Sequence, residues 1–270
     1  MKLSFSTLGC PNYTIDRAIA IAVENNYEGI ELRALEGTVD LWKLPCFHGT
    51  GLTETARKLR ESGLEISCVG TGISFAKADE SDKLAKLETA KAYIEITKTL
   101  GCKYLRLFGG PLVPAQGYLE SIEAIQDGFE AICDLTAKDG IMPLLETHDD
   151  FCAAPRVLDI LSGVSSNNLG VLWDIMHPYR MGEPVAETFA KLKDKIRHVH
   201  VKDGINMSPS GSDLTLTGKG DMPIGECTAL LTANGFDGYF SLEWEKMWHP
   251  EIEEPEIAIP QYAQAMGQYA

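Results

Sequence analysis

The sequence predicts an α/β fold, a single (β/α)8 TIM barrel that spans residues 1–270. Three observations favour this fold: short apolar strands alternate with amphipathic helices, the strands number eight, and several of them end on a carboxylate or a histidine. Strict alternation of strands and helices builds a parallel sheet, and eight strands close a barrel of about 250 residues. The chain has 270 residues, of which 44% are apolar, and this suits one such domain.

The strands follow one another along the chain at intervals that leave room for one helix each. The predicted strands are 3–9, 27–33, 64–70, 102–110, 141–148, 169–175, 196–203 and 236–245. Four of them directly follow a glycine, namely Gly63, Gly101, Gly140 and Gly235. A glycine there ends the preceding helix in the left-handed conformation. Helical periodicity is clearest over 81–100, for which Ser81 is the predicted N-cap.

Long loops follow several strands, at 34–51, 109–118, 203–223 and 246–260. Because they all follow strands, they belong to one rim and predict the mouth of an active site. An open, doubly wound sheet is the alternative architecture. The first strand is not followed by the G-x-G-x-x-G turn of a dinucleotide-binding sheet, so the closed barrel is favoured.

Composition and charge restrict the class of partner. The net charge is −15, which disfavours DNA or RNA as a partner because nucleic-acid binding needs clustered Lys and Arg. The seven cysteines are scattered without a C-x-x-C pair, as is typical of reduced intracellular thiols. No apolar run has the length of a signal peptide or a membrane span, so we expect a cytoplasmic protein without a membrane partner. Homo-oligomerisation stays open.

Four strands in the second half of the chain end on side chains that bind metals. These are Glu146, Asp174, His200 and Glu243, separated by 28, 26 and 43 residues, about one strand-plus-helix unit each. Successive parallel strands share a C-terminal rim, where barrel active sites lie. Three carboxylates and one imidazole suit one divalent ion, with Mn²⁺ expected first and Mg²⁺, Co²⁺ or Zn²⁺ as alternatives. Alternation along the strands also turns His148, His198 and Glu245 toward the same interior.

The order of these segments resembles the xylose isomerase-like TIM barrels, and within them the sugar phosphate isomerase/epimerase family. That family includes ketose 3-epimerases, inosose isomerases and dehydratases, and hydroxypyruvate isomerases. The matching motifs cover nearly the whole chain: STLGCP, EGIELR, LLETHDDF, WDIMHP, HVHVKDG, GKGDMPIG and SLEWE. The resemblance implies that Glu146, Asp174, His200 and Glu243 are the metal ligands and that His198 is only a neighbour.

The resemblance also implies a reaction. We expect a divalent-metal-dependent isomerase or epimerase of a ketose, a cyclitol ketone or their phosphates, which transfers a proton through an enediolate that the metal stabilises. Glu146 and Glu243 are the predicted catalytic acid and base, in addition to binding the metal. The alternative is that they only bind the metal and that a separate base moves the proton.

Further side chains are predicted to contact the sugar or cyclitol substrate. They are His177, which matches a substrate-contacting histidine of the family, and His148, Arg180, Lys202 and Glu31. An internal ion pair between Glu31 and Arg106 is the alternative for Glu31, because a buried charge needs a partner. The loop Gly218-Lys219-Gly220 is a weaker candidate for a phosphate contact, at a position where barrels commonly bind phosphate.

Three other functions compete with the isomerase. A metal-dependent dehydratase of the inosose or 3-dehydroshikimate type requires the same proton abstraction, so only its product distinguishes it. An endonuclease IV-like DNA repair enzyme needs additional histidines from the early strands, and the first three strands contain none. A metal-free binding barrel would be distinguished by metal analysis. The sequence does not identify the substrate.

Overall fold

A computed structural model describes residues 1–269, and it contains a closed barrel of parallel strands with one additional hairpin. The barrel strands are β1 (Lys2–Ser6), β2 (Gly29–Leu32), β3 (Glu65–Ser74), β4 (Tyr104–Phe108), β5 (Met142–Glu146), β6 (Gly170–Asp174), β7 (Ile196–Val201) and β10 (Tyr239–Leu242). The hairpin strands are β8 (Asp203–Ser208) and β9 (Gly211–Thr215). The barrel order is β1-β10-β7-β6-β5-β4-β3-β2, which confirms the predicted fold.

Helices connect the barrel strands and cover the outside of the barrel. They are α1 (Ile15–Glu24), α2 (Gly49–Ser62), α3 (Glu80–Thr99), α4 (Tyr118–Thr136), α5 (Ala154–Ser162), α6 (Met176–Arg180), α7 (Val185–Leu192), α8 (Ile224–Ala233) and α9 (Pro255–Met266). The main apolar core lies between these helices and the barrel. Within the described residues, no helix is long and apolar enough to cross a membrane.

All eight predicted strands correspond to barrel strands, and the glycine signals were correct. Gly63, Gly101, Gly140 and Gly235 have φ angles of 72°, 71°, 66° and 74°, in the left-handed region. The predicted N-cap of α3 was wrong by two residues. Asp79 is the cap, because its carboxylate accepts hydrogen bonds from the backbone amides of Ser81 and Asp82.

The barrel interior is charged at the C-terminal rim of the strands and apolar one layer deeper. Cys68, Leu144 and Leu172 form a small cluster separate from the main core. Leu144 and Leu172 lie two residues before Glu146 and Asp174, so they share the inward face one layer deeper. This apolar cluster lies directly beneath the charged site at the C-terminal rim.

Candidate metal centre and active site

The barrel register brings the four predicted metal ligands to one place. Glu146 and Asp174 are the last residues of β5 and β6, and Asp174 pairs in register with His200 of β7. Glu243 directly follows β10, and its backbone amide donates to the carbonyl of Val201. All four side chains are buried. Their assignment as ligands stays a prediction, but the fold does assemble them.

His200 Nδ1 lies in the middle of the three carboxylates. It is 3.2 Å from Glu146 Oε1, 3.3 Å from Glu243 Oε1 and 3.9 Å from Asp174 Oδ2. Neither Glu146 Oε1 nor His200 Nδ1 has a partner aligned for a hydrogen bond among residues 1–269. Burial alone would lower the pKa of His200, but Glu243, Glu31 and Glu146 raise it well above its ordinary value. The cluster therefore favours a positive charge at its centre.

A second layer holds His200 from behind. Both oxygens of Glu31 lie 3.0 Å from His200 Nε2, and Glu31 Oε2 is also 2.8 Å from His198 Nε2. Ser241 Oγ donates to the same oxygen at 3.0 Å. If Nε2 of His200 carries the proton that it donates to Glu31, the lone pair of Nδ1 faces the carboxylates. A carboxylate behind a histidine is the usual support of a metal-binding imidazole.

This layer corrects one expectation about Glu31. The predicted Glu31–Arg106 ion pair does not form, because the two histidines engage both oxygens of the carboxylate. Burial would raise the pKa of Glu31, but His200 and His198 hold it well below its ordinary value. The side chain is fully buried behind His200, and its predicted contact with substrate stays a prediction.

Arg106 instead pairs with one of the predicted ligands. Its Nε lies 3.1 Å from Glu146 Oε2, and its Nη1 donates to the carbonyl of Thr71 at 2.8 Å. Burial would raise the pKa of Glu146, but Arg106 and then His200 lower it. Glu146 is therefore ionised at neutral pH. The sequence did not predict this pair, because the stagger of β4 relative to β5 cannot be read from either segment alone.

Lys202 is an internal cation on the other side of the cluster. Its Nζ lies 2.9 Å from Asp174 Oδ2, 2.7 Å from Glu243 Oε2 and 2.6 Å from Glu245 Oε1. Burial would lower the pKa of Lys202, but Asp174 and Glu243 raise it well above its ordinary value. The structure thus engages the ammonium with three carboxylates, whereas its predicted contact with substrate stays a prediction.

Two further histidines stand beside the cluster. The backbone amide of His177 donates to Asp174 Oδ1 at 3.1 Å, and its Nε2 is 3.2 Å from Lys202 Nζ. The ring of His148 packs edge-on against His177, with centroids 4.5 Å apart. Burial lowers the pKa of His177 well below its ordinary value, and Lys202 lowers it further, so His177 is neutral at pH 7.

Arg180 lies behind His177 rather than on the wall of the cavity. Its Nε donates to His177 Nδ1 at 3.3 Å, and its Nη1 donates to the carbonyl of Pro209 at 2.8 Å. These bonds connect α6 with the turn between β8 and β9. The geometry supports a role for Arg180 in orienting His177, and its predicted contact with substrate is not visible in the cavity lining.

A cavity of about 450 Å³ opens above the predicted metal ligands. Its lining residues are Leu8, Arg33, Gly72, Ser74, Arg106, Phe108, His148, Asp149, Glu243, Glu245 and Trp248. The volume is in the range of small-molecule sites. Phe108, His148 and Trp248 supply an aromatic wall, and Glu243 connects the cavity with the carboxylate cluster.

The glycine loop after β9 is not a phosphate cradle. The carboxylate of Asp203 accepts the backbone amides of Gly218 and Gly220 at 2.8 and 2.9 Å. It also accepts those of Gly204 and Met222. A Cβ at position 220 would lie 2.3 Å from Asp203 Oδ1, so this contact requires glycine. The backbone amides of Gly218 and Gly220 are therefore not available to a phosphate, whereas a phosphate contact of the Lys219 side chain stays a prediction.

Comparisons with known proteins agree with this geometry. A protein-family profile described as xylose isomerase-like TIM barrel matches residues 19–265. Fructoselysine 3-epimerase of Shigella flexneri is 27% identical over 270 residues, which cover 95% of this chain and 94% of that protein. The 3-dehydroshikimate dehydratase of Bacillus anthracis is 26% identical over 216 residues, 75% of this chain and 72% of that protein.

A solved structure supports the fold independently. The IOLI protein, crystallised with a bound zinc atom, has a TM-score of 0.83 and 21% identity, with 100% of this chain and 98% of that chain covered. At this identity the likeness shows the fold alone.

Proposed function

Because the chain belongs to the xylose isomerase-like TIM barrel family, we propose that it is a divalent-metal-dependent isomerase or epimerase of a ketose, a cyclitol ketone or their phosphates. The observation that carries this proposal is the buried cluster of Glu146, Asp174, His200 and Glu243 beneath a cavity of small-molecule size. Relatives named fructoselysine 3-epimerase and inosose isomerase support the reaction class.

The donor set fits a hard divalent cation. Oxygens of Glu146, Asp174 and Glu243 and a ring nitrogen of His177 lie within 4.8 Å of one another. His200 Nδ1 lies 3.2, 3.3 and 3.9 Å from oxygens of Glu146, Glu243 and Asp174. Glu146 Oε1 and His200 Nδ1 lack a hydrogen-bond partner among the described residues. We propose that Glu146, Asp174, His200 and Glu243 hold one ion, with Mn²⁺ as the first expectation. A bound divalent ion would supply a Lewis acid that stabilises negative charge on two adjacent substrate oxygens.

The two glutamates are the proposed proton carriers. One oxygen of Glu146 and one of Glu243 lie within 4.8 Å of each other at the base of the site. Burial would raise the pKa of Glu243, but His200 and Lys202 hold it well below its ordinary value, so the group is an ionised carboxylate at neutral pH. One glutamate removes the proton from the carbon next to the carbonyl group. The other returns a proton to the opposite face or to the adjacent carbon.

A dehydratase is the second candidate, and one observation favours it. The relative from Bacillus anthracis is named 3-dehydroshikimate dehydratase, and the probable 3-DHS dehydratase AsbF has a TM-score of 0.82 with this chain. Proton removal would be the same, but a hydroxyl group would then leave from the neighbouring carbon. Product analysis distinguishes a dehydrated product from an isomer.

The proposed function is tested with a panel of ketoses, inososes and their phosphates in D₂O with added Mn²⁺. We expect at least one compound to be converted to an isomer that carries solvent deuterium at the carbon that receives the returned proton. Chelation should abolish the conversion, and Mn²⁺ or Co²⁺ should restore it. Turnover that survives chelation, or isomer without deuterium under exchanging conditions, would contradict the proposal.

Variants assign the proton carriers. Glu146→Gln and Glu243→Gln should each lower turnover by roughly 100- to 10,000-fold, because each removes a proton carrier and a negative ligand. Glu187→Gln is the control, since Glu187 lies on α7 with its side chain 62% exposed. Equal activity of all three variants would assign proton transfer to other residues.

A further inference from the structure

Two arginines, Arg33 and Arg106, line the cavity. Arg33 directly follows β2, and Arg106 lies on β4, with β3 between them. A Cβ at Gly70 of β3 would be 2.8 Å from Arg106 Nη2 and 3.1 Å from Arg33 Cδ. The glycine at this position therefore leaves the space that both arginine side chains occupy.

The two arginines differ in their partners. Arg106 is bound by Glu146 and by the carbonyl of Thr71. Arg33 is 7% exposed and its Nη1 is buried, yet its guanidinium has no hydrogen bond or ion pair with any side chain or carbonyl of residues 1–269. A buried charge without a partner is costly and is uncommon in folded proteins. Arg33 is therefore not explained by the stability of the barrel.

Every other charged residue that lines the cavity has a partner. Glu243 and Glu245 contact Lys202, Arg106 contacts Glu146, and Asp149 lies 3.0 Å from His148. Arg33 is the exception among the described residues. Burial, with Arg106 as the next cause, lowers the pKa of Arg33 to about 10, so the group is still positive at neutral pH.

We propose that Arg33 binds an anionic group of the substrate, a carboxylate or a phosphate, and that the substrate is accordingly an acidic ketose or cyclitol derivative. This inference rests on the proposed function and adds the substrate class. A guanidinium fork binds two oxygens of either anion at once and compensates the charge that the protein leaves unpaired. The carboxylate cluster would hold the reacting end of the same molecule, on the other side of Arg106.

The test measures binding rather than turnover, so it does not require the true substrate. Isothermal titration of Mn²⁺-loaded protein compares two pairs of probes: shikimate with its methyl ester, and D-fructose 6-phosphate with D-fructose. The first pair tests a carboxylate and the second a phosphate. We expect the acidic member of at least one pair to bind about tenfold more tightly or better, as one charge-assisted interaction provides. Failure of every acidic probe to bind more tightly than its neutral partner would overturn the proposal.

Variants connect the preference to Arg33. Arg33→Met should abolish the preference, Arg33→Lys should retain part of it, and Arg17→Met should leave it unchanged. Arg17 is the matched control because it carries the same charge in an exposed ion pair with Glu24 on α1. A preference that survives in Arg33→Met would show that the anion binds elsewhere and would overturn the proposal.

Thermal stability separates binding from a structural role. Since Arg33 has no partner to lose, Arg33→Met should keep or raise the melting temperature while it loses the acid preference. A lower melting temperature with an unchanged preference would assign Arg33 to the fold. An Arg33-dependent preference without any turnover would contradict only the proposed function, whereas turnover of neutral sugars alone would contradict only the anion subsite.

Discussion

His198 and His200 lie two residues apart on one strand and face the same interior, yet their surroundings differ. His198 is one layer deeper and contacts Glu31, whereas His200 Nδ1 faces three carboxylates. The alternation of strand residues predicts the shared face, and the position of the rim predicts which histidine is nearer to the other strand ends. The role of Glu31 behind both rings was not predictable, because it depends on contact across the barrel.

The first prediction separates the two histidines. His200→Gln should lose bound metal, because a ligand is removed directly. His198→Gln should retain the ion with an affinity lowered by about 10- to 100-fold, as is usual when a group behind the ligands is changed. Metal content after dialysis, followed by titration with Mn²⁺, measures both. If His200→Gln kept the ion and His198→Gln lost it, His198 would be the ligand and the assigned strand register would be wrong.

The second prediction concerns Lys202, the internal cation beside the cluster. Lys202→Met removes the positive charge that contacts Asp174, Glu243 and Glu245. The metal-free protein should lose about 3–5 kcal/mol of stability, because the buried carboxylates of Asp174 and Glu243 and the partly buried one of Glu245 then repel one another. Added Mn²⁺ should raise the melting temperature of this variant more than that of the wild type.

Thermal unfolding with and without Mn²⁺ measures this difference. Lys91→Met is the control, because Lys91 is exposed on α3 and, among residues 1–269, pairs with Glu88 alone. An equal metal-induced shift in the wild type and in Lys202→Met would show that Lys202 and the metal do not share the same carboxylates.

At the scale of elements, the individual barrel strands could be predicted, because the signals that define them lie within short segments of the sequence. Alternating apolar residues and preceding glycines located all eight barrel strands. The hairpin of β8 and β9 lies inside the predicted 203–223 loop and was not predicted, although Ile205, Met207 and Leu214 alternate with polar residues there. Its position depends on Asp203, whose carboxylate accepts four backbone amides from both ends of the loop. Three of these amides lie 15, 17 and 19 residues after Asp203, so the sequence alone does not indicate the contact.

The third prediction tests Asp203 as the anchor of this loop. Asp203→Ala should speed hydrogen exchange of the amides at 218–222, because it removes their buried acceptor. Exchange followed by mass spectrometry of the peptide that covers 216–224 measures the effect. Asp213→Ala is the control on the same hairpin, since the exposed carboxylate of Asp213 accepts a hydrogen bond from Asn206 and has no other side-chain partner among the described residues. Unchanged exchange at 218–222 in Asp203→Ala would assign the loop's order to other contacts.

At the scale of the whole molecule, charge is distributed unevenly. The chain carries a net charge of −15, yet Arg33, Arg106 and Lys202 are all buried near the barrel mouth. The carboxylates and the histidine of the site were predictable because each stands at the end of its own strand. Their cationic partners were not, because pairing of Arg106 with Glu146 depends on how the strands are staggered around the barrel. No signal in the sequence distinguished Arg33, which lacks a partner among the described residues, from an arginine that belongs to a core ion pair.

The central claim is that one divalent ion binds at the C-terminal rim of β5, β6, β7 and β10. Anomalous diffraction at the manganese edge, from crystals of protein loaded with Mn²⁺, tests it most directly. We predict one peak that is coordinated by Glu146, Asp174, His200 and Glu243. The claim would be contradicted by a map without a peak at these residues, or by a peak on the opposite side of His200, between Glu31 and His198.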